Sequence, residues 1–112
     1  MTLVERLVCE LAVARLEAIF IGAGAAAVRG EPVSAIELLV RDTPLHRERI
    51  HAVARALGCA RVPLSHQART IQLVGAELPI HIVFGQVGTN TYAAVRARAT
   101  SVAVGDHVAR LG

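Results

Sequence analysis

The sequence predicts a mixed α/β domain, an α+β sandwich in which helices pack against a mixed β-sheet. Three observations carry this expectation. Apolar runs of strand length, bounded by glycine, proline and polar turns, alternate with stretches of helical periodicity. Helices separate the strands in the first half of the chain, and hairpins take over in the second. The run from Ile36 to Val40 is apolar except for Glu37, the pattern of a central strand covered on both faces.

Taken in order, residues 2–16 fit an amphipathic helix. Leu3, Leu7, Val8, Leu11 and Ala14 recur at helical spacing, and Thr2 with Glu5 forms a potential capping box. Ala18 to Ile21 is a short strand. Gly22 to Arg29 is a turn running into a helix of about two turns, which Gly30 ends and Pro32 prevents from continuing. Ile36 to Val40 is the second strand. Thr43 is placed to cap the next helix, with Pro44 at its first position. That helix, Pro44 to Leu57, buries Ile50, Val53, Ala54 and Leu57, exposes Arg47, His51 and Arg55, and closes at Gly58. Thr70 to Val74 and Pro79 to Phe84, joined through Gly75, Ala76 and Glu77, read as a hairpin. Gly85 to Gly88 reads as loop and Thr89 to Ala97 as a helix. Thr100 to Val104 and His107 to Arg110 read as a last hairpin around Gly105 and Asp106.

A chain of 112 residues has room for one core, so residues 1–112 are read as one domain. Hydrophobic residues make up 54% and the mean hydropathy is +0.49. No apolar run reaches the ~20 residues that span a bilayer. The excess is therefore assigned to buried strands and to an interface, and a homodimer or a heteromeric protein partner is expected, with no membrane association. Glu5, Arg6, Glu10, Arg15 and Glu17 interrupt the N-terminal stretch, unlike a signal peptide, so a cytoplasmic location is expected. Lysine is absent, which excludes Schiff-base and lysine-nucleophile chemistry. The net charge is +3, and Phe20, Phe84 and Tyr92 are too few for a stacking platform, so nucleic acid is not expected as a partner. Cys9 and Cys59 lack ligand spacing and are read as buried small apolar residues.

The run Gly22-Ala23-Gly24-Ala25-Ala26-Ala27 follows a strand and loosely fits a dinucleotide fingerprint, with Asp42 as a possible ribose-binding acid. The short helix, the preceding helix and the later hairpins weigh against that reading. A tight turn that needs small residues for helix–strand packing explains the same run.

A wider pattern resembles the nucleotidyltransferase superfamily, in particular its small bacterial members with a Gly-Gly turn. Ile21-Gly22-Ala23 stands at the turn, and Ala25 to Gly30 forms the short helix and its stop. Ala35-Ile36-Glu37-Leu38-Leu39-Val40 stands at the Asp-x-Asp strand. Ala56-Leu57-Gly58 closes the third helix, and Leu78 to Val83 falls at the strand of the third acid. The resemblance covers nearly the whole chain and implies a nucleotidyltransferase-like fold. It implies relatives that act on nucleotides, RNA or proteins, some of them in toxin–antitoxin pairs. It also places nucleotide contacts at Gly22, Ala23, Gly24, Glu37 and His81.

The departures from the family pattern bear on chemistry. Nucleotidyl transfer uses two Mg²⁺ ions bridged by carboxylates, and Mg²⁺ prefers oxygen ligands. Ala35, Glu37 and His81 stand at the three acidic positions, which leaves one carboxylate. The expected function is therefore a degenerate, non-catalytic module that binds a nucleotide weakly or a protein partner, with no cofactor. The alternative is an active Mg²⁺-dependent transferase that uses Glu37 with Asp42 or Glu31. Glu37 and His81 are expected to form a hydrogen-bonded ion pair, or else a weak two-ligand site for a softer metal. His46 and His51 are five apart, off a common helical face, and are read as solvated. Arg47, His51 and Arg55 align as a solvated stripe. His66 and Arg69 carry no spacing signal.

Overall fold

The computed structural model describes residues 1–64 and 69–112; His66 lies outside them. Helix α1 spans Leu3–Val13. The capping box forms as expected: Thr2 Oγ1 accepts the Glu5 N–H at 3.1 Å, and Glu5 Oε1 accepts the Thr2 N–H at 2.9 Å. The helix ends in a Schellman turn, in which Leu16 N–H reaches Leu11 O at 2.9 Å and Arg15 takes φ 54°. Leu11 and Leu16 are both buried there.

Strand β1 (Ile19–Ile21) leads through Gly22 into helix α2 (Ala23–Val28), and strand β2 (Ile36–Val40) follows. Helix α3 (Pro44–Ala56) starts as the sequence predicts, with Thr43 Oγ1 accepting the His46 N–H at 3.1 Å. Then come β3 (Ala60–Pro63), β4 (Thr70–Val74), β5 (Ile80–Phe84), the two-residue strands β6 (Gln86–Val87) and β7 (Asn90–Thr91), helix α4 (Tyr92–Arg98), β8 (Thr100–Val104) and β9 (His107–Leu111).

Seven strands form one mixed sheet in the order β3-β4-β5-β2-β1-β9-β8. The fold is thus the mixed α/β sheet that the sequence predicts. β2 and β5 run parallel, as do β1 and β9, and the other neighbours are antiparallel. One face carries Phe20, Leu38, Val40, Ile80, Ile82 and Phe84, packed with Leu7, Leu11, Ile50 and Val53 of α1 and α3. On the other face Ile19, Ile21 and Leu39 pack under Tyr92 of α4. The strict alternation along β2 and β5 follows from side chains that point to opposite faces at successive positions.

Four expectations are corrected. Strand β3 was not foreseen; all four of its residues are exposed, so it carries no alternation to read. The segment expected as loop at Gly85 to Gly88 includes half of the β6–β7 hairpin, and α4 accordingly begins at Tyr92, capped by Thr91. Cys9 and Cys59 are half-buried, not buried. The dinucleotide reading falls because β1 and β2 are antiparallel, with Ile19 opposite Leu39 and Ile21 opposite Glu37. The glycine turn therefore lies outside any parallel βαβ unit, which the cofactor fingerprint requires.

Candidate functional site

The sheet register aligns one row of residues across five strands. Ile21 lies opposite Glu37, Glu37 opposite His81, His81 opposite Gln72, and Gln72 opposite Val62. Residues directly opposite one another share a sheet face. Glu37, His81 and Gln72 therefore form a polar row on the face away from α1 and α3, and all three are half-buried. The sequence spacing of Glu37 and His81 is realised as a direct cross-strand pair.

The interactions within the row differ from those expected. The Glu37 carboxylate turns back toward β1 and accepts the Ala23 N–H through Oε1 at 3.1 Å. His81 turns the other way, with its Nε2 3.3 Å from Nε2 of Gln72. The expected Glu37–His81 ion pair does not form, because each side chain is drawn to a partner on its far side. Gln72 is the member that the sequence reading missed. Its signal was the hairpin itself: pairing Thr70–Val74 with the following strand sets Gln72 against His81.

The glycine turn is built around Glu37. Gly22 holds φ 48° and ψ −119°, a conformation that a side chain rarely adopts. A Cβ there would lie 3.0 Å from Glu37 Oε1. Gly24 is buried, and a Cβ on it would lie 2.1 Å from the Glu37 carbonyl oxygen. Both glycines thus admit Glu37, one its carboxylate and the other its backbone. The carboxylate acts as the missing cap of α2, which has no side-chain cap of its own. A negative charge at a helix N-terminus is favourable. The close approach that small residues allow in this turn is taken by a residue of the chain itself.

The donor set does not fit a pair of Mg²⁺ ions. Ala35 offers no ligand, the Glu37 carboxylate is engaged by a backbone N–H, and His81 offers nitrogen beside an amide. Among the described residues no group of three or more His, Cys, Asp or Glu side chains is placed to hold a metal ion.

The remaining candidates lie elsewhere. Asp42 sits beyond β2, where Arg47 Nε donates to it at 2.8 Å and holds its carboxyl below the usual range. Glu31 lines a separate groove with Thr2, Leu3 and Ile36. Arg47, His51 and Arg55 line one groove along α3, as their spacing predicts, but Arg47 also stacks over the Phe84 ring at 4.1 Å. His46 is not simply solvated. It is half-buried with Nδ1 2.6 Å from Thr43 Oγ1, and burial, then Arg41 and Arg49, lower its pKa.

No protein-family model matches the sequence, and no curated protein matches it. Among solved structures the chain is similar to a tRNA-processing enzyme in an apo form. The TM-score is 0.51 at 17% identity, over 73% of this chain and 22% of that one. The chain thus spans about a fifth of the length of that enzyme, and the likeness lies in the fold: a mixed sheet with helices packed on it.

Proposed function

We propose that this chain is a degenerate nucleotidyltransferase-fold protein without transferase chemistry, acting as a protein-interaction module that binds nucleotide weakly at most. One observation carries the reading: Glu37, the one carboxylate at the three acidic positions, accepts the Ala23 N–H. It fills the turn that would approach a phosphate, and it presents a like charge to one. The fold-level likeness to a tRNA-processing enzyme supports the placement among enzymes of nucleotide chemistry. The substitutions at Ala35 and His81 support the loss of activity.

The competing reading, an active transferase, needs a second carboxylate beside Glu37. Asp42 lies five residues further along the chain, about 17 Å at the rise of an extended strand. Bridged metal ions in two-metal sites sit about 3.5–4 Å apart. Asp42 is instead engaged by Arg47 in an ion pair at 2.8 Å, and Glu31 lines a separate groove.

Calorimetric titration of the protein with ATP, with and without Mg²⁺, tests the proposal. Weak binding that Mg²⁺ leaves unchanged is expected, since no pair of carboxylates is there to share the ion. Affinity that rises tenfold or more on adding Mg²⁺ would show a working metal–triphosphate site and overturn the reading.

A further inference from the structure

The positive charge of the chain is not spread evenly. Arg41 follows β2, Arg49 lies on α3, Arg96 on α4 and Arg110 on β9, and the four gather around one carboxylate, Glu17, which precedes β1. Arg96 bonds the Glu17 carboxylate, and Arg110 Nε lies 4.0 Å from it. Tyr92 donates its hydroxyl to Glu17 Oε1 at 3.0 Å, and Arg41 stacks over the Tyr92 ring at 4.7 Å. Arg49 Nη1 donates to Arg15 O at 2.8 Å, in the turn just before Glu17. His46 sits among these groups: burial first, then Arg41 and Arg49, lower its pKa, and Glu17 is the acid that raises it. Asp42, the other carboxylate close in sequence, turns to Arg47. Four arginines against one carboxylate leave three positive charges, as many as the net charge of the whole chain, +3.

We propose that this cluster is the docking site for an acidic segment of a partner protein, whose carboxylates pair with Arg41 and Arg49. Neither arginine has a carboxylate partner among the described residues. Arg41 is exposed and Arg49 half-buried, so a second chain can reach both. Glu17 shows the chemistry that the cluster takes: a carboxylate held by a guanidinium and a phenol. Arginine pairs with such groups through charge-assisted, often bidentate bonds. A polynucleotide is the other polyanion to weigh. Single strands bind by stacking bases on exposed aromatic rings as well as by charge. Here Phe20 and Phe84 are 1% exposed, and Tyr92 is 5% exposed and lies under Arg41. The cluster is separate from the glycine turn, since Glu17 precedes β1 and Gly22 follows it. The inference names a partner for the protein-interaction reading above and rests on it. Its test uses neither a nucleoside triphosphate nor a metal, so its failure is distinct from failure in the ATP titration.

The experiment is fluorescence anisotropy with a labelled oligoglutamate peptide at near-physiological salt. Saturable binding is expected, weakened at least tenfold in Arg41→Gln/Arg49→Gln. Arg29→Gln/Arg61→Gln removes the same charge from exposed positions elsewhere, and is expected to weaken binding less than twofold. Thermal melting checks that each variant is folded. Should Arg41→Gln/Arg49→Gln not fold, Arg41→Gln alone is expected to weaken binding at least threefold. In the wild-type protein the His46 imidazole, followed by NMR, is expected to show a raised pKa with the peptide bound, because the peptide carboxylates offset Arg41 and Arg49. Absence of saturable binding, equal loss in the two double variants, or a His46 pKa unmoved by saturating peptide would overturn the proposal. So would an oligouridylate of equal charge that binds more tightly through the same two arginines, which would assign the cluster to nucleic acid.

Discussion

Replacing Gly24 by alanine is expected to lower the unfolding free energy by about 3 kcal/mol or more, as overpacking of a rigid contact does. The added methyl would lie 2.1 Å from the Glu37 carbonyl oxygen and 3.0 Å from the Glu37 backbone nitrogen and carbonyl carbon. All three are backbone atoms of a central strand, so no rotamer change relieves the clash. Helix α2 must move off β2, and the Ala23–Glu37 hydrogen bond is lost with it. Gly30→Ala is the control. It sits at positive φ, 84°, but a Cβ there meets nothing within 4 Å, so only the backbone penalty of ~1 kcal/mol applies. Urea unfolding of the two variants checks the difference. If Gly24→Ala is no less stable than Gly30→Ala, the glycine turn is not packed on Glu37 as described.

Truncation of Tyr92 to alanine is expected to cost ~3–5 kcal/mol, in the range for a large buried aromatic. Tyr92 is 5% exposed and lies in the small core with Ile19, Ile21 and Leu39 that fastens α4 to the sheet. Its hydroxyl donates to Glu17 Oε1 at 3.0 Å and to Glu17 O at 3.2 Å. Arg41 lies 4.7 Å from the ring centroid. Tyr92→Phe keeps the ring and loses the hydroxyl, and is expected to cost ~1 kcal/mol. Glu17 also takes the Arg96 guanidinium, which lowers its pKa first, with the Tyr92 hydroxyl and Arg110 adding to the effect against burial. A carboxylate with a lowered folded pKa stabilises the protein fully above its unfolded value. That contribution is lost as pH falls through the lowered folded value. The pair is more than a third exposed, so screening holds this pH-dependent part to ~1 kcal/mol or less. Thermal unfolding of the three proteins at neutral and acid pH resolves both effects. Equal stability of wild type and Tyr92→Ala would contradict the role given to this small core.

What was legible in the sequence was mostly what repeats or punctuates. The Ile36–Val40 run is legible as a central strand because burial on both faces leaves it apolar at every position but Glu37. Thr2 and Thr43 cap their helices because each hydroxyl accepts a first-turn N–H that has no partner within the helix. β3 was invisible because an exposed edge strand needs no apolar alternation. The antiparallel course of β1 and β2 was also hidden, since strand direction is set by tertiary packing across α2 and leaves no local pattern. At the candidate site, Gly22, Ala23, Gly24, Glu37 and His81 are singled out by the sequence, and the structure places the glycine turn on one side of Glu37 and His81 on the other, at the middle of the sheet. Their partners were not legible. Whether Glu37 reaches His81 or Ala23 depends on which side of β2 the turn presents its N–H. The residue that meets His81, Gln72, comes from a strand whose register only the hairpin fixes.

The central claim is that Glu37 serves the turn and no longer serves catalysis. Incubation with each labelled nucleoside triphosphate, in Mg²⁺ or Mn²⁺, tests it most directly, with the chain itself and bulk RNA offered as acceptors. The account predicts no incorporation above background, and no difference between wild type and Glu37→Gln. Metal-dependent incorporation by the wild-type protein that disappears in Glu37→Gln would contradict it.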